Sequence, residues 1–123
     1  MTKDNIDQIF IMTNQSSYFL HPLDSPTGII TTIKFDGRNY DLWEKAVITS
    51  LESKNKLGFI DGSITKPETK DGVVSDKGRA WEMVNSIVVS WIMNVIDPRL
   101  HKSVAYVENI KNWYDVPNIC KIH

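Results

Sequence analysis

The residues of this chain that could carry reaction chemistry are three histidines, one cysteine and fifteen carboxylates, and their spacing sets up no reaction. A nucleophile needs a base within reach and a third group to orient that base. His21, His101 and His123 fall on a loop, on a polar helix face and at the terminus, with no Ser, Cys or carboxylate arranged around them in that way, so they read as surface histidines. Asp24-Ser25-Pro26 and Asp61-Gly62-Ser63 come near the Asp-Thr/Ser-Gly triplet that lets two carboxylates share a proton, but neither has its order. Cys120 stands alone and belongs to no Cys/His cluster at zinc spacing. The glycine-rich phosphate loop, the dinucleotide fingerprint and the H-E-x-x-H pair are missing from the sequence. The expectation is a protein with no catalytic residue, no cofactor, no metal and no small-molecule substrate.

Two other residue sets could bind. Lys45, Lys54, Lys56 and Lys66 form a modest basic cluster, but Glu44, Glu52, Asp61 and Glu68 interleave with it, which reads as a solvated face before a nucleic-acid footprint. Trp43, Trp81, Trp91 and Trp113 have rings that could stack on bases. Rings on apolar stripes at helical spacing are more often core, and any surplus aromatic surface would suit a contact between helices of different copies.

These residues must be positioned by a small number of elements. Residues 1–17 lack helical or alternating periodicity and read as a flexible leader. His21 to Gly28 is dense in turn formers and reads as an ordered loop. Residues 29–35 are rich in β-branched side chains and end at Asp36-Gly37, a signal for one short strand that would need a partner. Asn39 is set to cap a first helix from about Tyr40 to Ser53, with Tyr40, Trp43, Val47 and Leu51 on one apolar stripe. The run Lys54 to Ser63 reads as a turn in which Gly58 and Gly62 let the backbone bend while Leu57, Phe59 and Ile60 fold back on that stripe.

Residues 63–75 read as a solvated loop, after which Ser75 or Asp76 caps a second helix with Trp81, Val84, Val88, Trp91, Ile92 and Val95 inward. Asp97-Pro98 starts a third helix over about 98–106, and a fourth should begin near Asn109 and bring Trp113 to the core. The fold class expected is mainly α: a bundle of about four helices with an extended N-terminal arm.

Composition sets outer limits. At 123 residues there is room for one domain and one core, and 41% hydrophobic against 24% charged residues is globular composition. With 14 basic and 15 acidic residues the chain has no positive field to condense on phosphates. No basic start followed by an apolar run marks a secretory signal, and the apolar stretch from Ile87 to Ile96 is too short to span a bilayer. The expected setting is the cytoplasm, or the nucleus, without a membrane partner.

Several motifs in order then carry a resemblance. Tyr18-Phe19-Leu20-His21-Pro22 with Asp24-Ser25-Pro26, Asp36-Gly37-x-Asn39-Tyr40-x-x-Trp43, and Lys54-Asn55-Lys56-Leu57-Gly58-Phe59-Ile60-Asp61-Gly62 are followed by Trp81, by Asn85-Ser86-x-Val88-Val89-Ser90-Trp91-Ile92 and by Trp113. Together they resemble the N-terminal part of the Gag polypeptide of copia-type LTR retrotransposons over residues 18–115. The resemblance implies an α-helical, capsid-like domain that has no catalytic residue and works by binding copies of itself or other Gag chains around an RNA. It singles out Tyr40, Trp43, Leu57, Gly58, Phe59, Ile60, Gly62, Trp81, Trp91 and Trp113 as motif and core positions. Residues 116–123 depart from the pattern and form an atypical tail, and the second capsid half and the CCHC knuckle are not in the sequence, which reads as a truncated Gag. A nucleic-acid-binding adaptor and a decayed relic without activity are the rival readings.

Overall fold

The stripe of apolar residues after Asp36-Gly37 forms helix α1, Tyr40–Ser53, whose Trp43, Val47 and Leu51 are buried. A computed structural model of the chain describes residues 16–104 and is mainly helical. Helix α2 is a single turn, Gly58–Asp61, that buries Phe59 and Ile60. Helix α3, Asp76–Asn94, is the longest and buries Trp81, Val84, Val88, Trp91 and Ile92. A 3-10 turn, Pro98–Leu100, leads into the short helix α4, His101–Val104. One apolar cluster joins the elements, running from Phe35 through α1, α2 and α3 to Val95 and Ile96.

The caps explain where the helices start. Ser75 precedes α3 in extended backbone, and its hydroxyl accepts from the Gly78 amide at 3.0 Å, which satisfies one of the free donors of the first turn. Asp97 does the same for the Arg99 amide ahead of the 3-10 turn, with Pro98 in the first position where no donor is needed. Asn39 is different. It makes no side-chain cap to α1; its amide Nδ2 donates to the Lys34 carbonyl and its Oδ1 accepts from the Asp36 amide, so it closes the turn before the helix instead.

The strand expected over 29–35 does not form. Only Phe35 pairs, in an isolated parallel bridge with Ile96: its amide donates to the Val95 carbonyl at 2.8 Å and its carbonyl accepts from the Asp97 amide at 2.9 Å. Upstream, the Thr31 hydroxyl takes the Ile33 amide, so the β-branched run has local bonds where a ladder would need a second strand. The third helix expected over 98–106 divides into the 3-10 turn and α4 as far as Val104, and the helix expected near Asn109, with Trp113, lies outside the described residues.

The run Lys54 to Ser63 is more ordered than a turn. Leu57 is half-buried, and Gly62, at φ +87°, ends α2 in the left-handed conformation that suits glycine. Gly58 has no such φ. It is the first residue of α2 and is pressed against Ile64, where an added Cβ would lie 2.5 Å from Cδ1 and 2.6 Å from Cγ1. Glycine is favoured there by close approach to the Ile64 side chain and not by backbone sign.

Candidate functional site

The three tryptophans of the described residues do one job in three places. Each ring is buried, with Trp43 0%, Trp81 7% and Trp91 1% exposed, and each indole N–H donates to a backbone carbonyl in an irregular segment. Trp43, on α1, reaches the Val95 carbonyl at 2.9 Å, which also receives the Phe35 amide, so both lone pairs of that buried oxygen are used. Trp81, at the start of α3, reaches the Ile64 carbonyl at 3.0 Å and holds the beginning of the 63–75 loop. Trp91, near the end of α3, reaches the Ser25 carbonyl at 2.7 Å and holds the N-terminal arm. A buried indole needs such an acceptor, and using loop carbonyls lets the helices fix the segments that have no ladder of their own. Rings so enclosed offer no face for base stacking.

The arm is fastened at several further points. The Asn94 amide donates to the Pro26 carbonyl at 2.8 Å and the Gly28 carbonyl at 3.1 Å, and the Ser50 hydroxyl donates to the Ile30 carbonyl at 2.8 Å. Tyr18 packs edge-on against Phe59 with ring centroids 5.7 Å apart, and Phe59 in turn meets Trp81 at 6.1 Å. Burial pushes the Tyr18 phenol above its ordinary range. The turn around Pro22 closes on itself: the Asp24 amide donates to the His21 carbonyl, the His21 amide to Asp24 Oδ2, and the Leu23 amide to His21 Nδ1. His21 is thus an exposed turn residue and His101 a half-buried one, its Nε2 2.8 Å from the Ile96 carbonyl. No group of three or more metal-binding side chains occurs among the described residues.

The lysines divide by environment. Lys66 pairs with Glu82 at 2.5 Å and Lys45 is exposed, as expected of a solvated face. Lys54 pairs with Asp24 at 3.2 Å and lies 5.0 Å above the Trp91 ring. Lys56 is the departure: it is 2% exposed, and burial lowers its ammonium's pKa while Asp24 nearby opposes that shift. Sequence reasoning missed the burial of Lys56 and the roles of Asn94, Ser50 and Phe35. The signal for Asn94 was present, since it interrupts the apolar run of α3 on the side of Trp91.

One comparison finds a likeness to a known family. Residues 21–68 match the family model described as Gag-polypeptide of LTR copia-type. Searches of curated proteins and of solved structures give no match to the chain. The Gag match takes in the Pro22 turn, α1, α2 and Ile64, so it coincides with the arm and the half of the core on which Trp81 and Trp91 close. The family that this segment resembles is a structural one. Among the described residues no helix is long and apolar enough to cross a membrane.

Proposed function

We propose that this chain acts as a Gag-like structural module that associates with itself or with Gag-related chains. The observation that carries the reading is the copia-type Gag match over residues 21–68. The internal construction supports it. Three indole bonds and the Asn94 and Ser50 contacts hold irregular segments in place, which gives a small helical domain a fixed outer surface, as repeated docking of identical copies requires. Large apolar side chains remain outside for contacts, including Leu23 at 85%, Ile29 at 61% and Leu42 at 57% exposure.

Light scattering of the purified full chain, alone and mixed with an intact copia-type Gag, tests the reading. Mass that rises with concentration, or capture of the chain by intact Gag, is the expected result. A fixed monomer mass together with no capture would overturn it. RNA added to the same samples separates the rival adaptor reading, because phosphate contacts must weaken as salt rises.

A further inference from the structure

The turn around Pro22 and the C-terminal end of α1 border an open recess of about 490 Å³, lined among the described residues by Phe19, His21, Leu23, Asp24, Ser53, Lys54 and Lys56. Its electrostatics are unbalanced. Lys54 and Lys56 bring two ammonium groups, and Asp24, the one carboxylate in the lining, already uses Oδ1 for Lys54 and Oδ2 for the His21 amide. Lys56, 2% exposed, makes one hydrogen bond, to the Lys54 carbonyl at 3.2 Å, and its other two protons have no acceptor among the described residues.

Helix capping accounts for only part of the pair: Lys56 donates to the carbonyl of Lys54, the C-cap of α1, with one of its three protons. The Ser50, Leu51 and Glu52 carbonyls at the end of α1 already receive the Lys54, Lys56 and Asn55 amides, and Ser50 also receives the Ser53 hydroxyl. A buried ammonium without its acceptors is costly, and an anion in the recess would remove that cost. Phe19 and the exposed Leu23 add apolar atoms to a lining that is otherwise polar. The volume is that of a site for a small organic molecule and exceeds what a bare ion fills.

The geometry points to a binding site for a small organic oxyanion, a phosphate or carboxylate head held by Lys56 and Lys54 and carried on an apolar or aromatic body lying against Phe19 and Leu23. Leu23 belongs both to this site and to the exposed apolar surface offered for assembly, and the titration below reads the site without reference to mass.

The test titrates the full chain with phenyl phosphate, benzoate, inorganic phosphate and uncharged phenol, following the amide signals of His21, Leu23, Lys54 and Lys56 by NMR. Saturable shifts at these residues with phenyl phosphate or benzoate, and weaker ones with inorganic phosphate and phenol, are expected; the stronger of the two organic anions identifies the head group. Lys56→Met keeps the buried stem and should weaken binding about tenfold or more, whereas Lys66→Met should leave it unchanged. Asp24→Asn removes the competing carboxylate and should tighten binding, the opposite of what a purely structural role predicts. Should Lys56→Met not fold, Lys54→Met and Asp24→Asn carry the test. No saturable shift, equal losses in Lys56→Met and Lys66→Met, weaker binding in Asp24→Asn, or equal affinity for inorganic and phenyl phosphate would overturn the proposal.

Discussion

Gly58→Ala isolates the reason for the glycine in the most specific motif of the chain. In ordinary helical backbone, alanine at this place should stabilise by up to about 1 kcal/mol through propensity. Here the new Cβ would meet Ile64 Cδ1 at 2.5 Å, Ile64 Cγ1 at 2.6 Å and Ser63 Oγ at 2.9 Å. Carbon atoms prefer about 3.5–4.0 Å, so Ile64 must retreat by about 1 Å or more. Its amide is bonded to the Gly58 carbonyl at 3.0 Å and its side chain packs on the core, which limits that retreat. Overpacking of this kind costs about 1–3 kcal/mol, which after the propensity gain leaves a net loss of up to about 2 kcal/mol and a Tm lower by up to about 15 °C. The assay is urea unfolding of a double-mutant cycle with Ile64→Ala. In that background Gly58→Ala should become neutral or stabilising. An equal loss with and without Ile64 would refute the reasoning, since it would mean that backbone conformation and not close approach excludes a side chain.

Other substitutions probe the remaining fastenings. Trp91→Phe removes the indole donor to Ser25 and part of a buried ring, so stability should fall by about 2 kcal/mol, and limited proteolysis should cut residues 19–28 faster than in a Val88→Ala control of similar stability. Ser75→Ala removes the cap of α3 and should cost about 1 kcal/mol in urea unfolding. The Arg99 guanidinium, bonded to Asp97, holds that carboxyl at about 2, below its ordinary 3.8. A depressed folded pKa gives stability that is present above pH 3.8 and lost as pH falls toward 2. Unfolding midpoints of the native chain and Asp97→Asn should therefore differ near neutrality and converge as pH approaches 2.

How much of this could be read in advance follows from the range of each signal. Helix α1 is legible because Tyr40, Trp43, Val47 and Leu51 repeat at the helical period, and α3 because Ser75 is a good cap ahead of a long stripe. The partners of the tryptophans are not legible. Trp91 and Ser25 are 66 residues apart, and Trp43 and Val95 are 52 apart, so no local pattern links them. The run of 29–35 misleads because β-branched residues signal a strand whether or not a neighbour exists; here only Phe35 finds one, beside the exit of α3. Asn39 misleads for a related reason, since a residue suited to cap a helix is equally suited to close the turn before it. Lys56 reads as surface because its charge is visible in the sequence and its enclosure by the Pro22 turn is not.

The central claim is that this helical domain associates with copies of itself or with Gag-related chains. Sedimentation velocity of the full chain over a wide concentration series measures that most directly, repeated with intact copia-type Gag as the second component. The account predicts a sedimentation coefficient that rises with concentration, or a faster boundary containing both proteins. A single monomer boundary at every concentration, with no co-sedimentation, would contradict it.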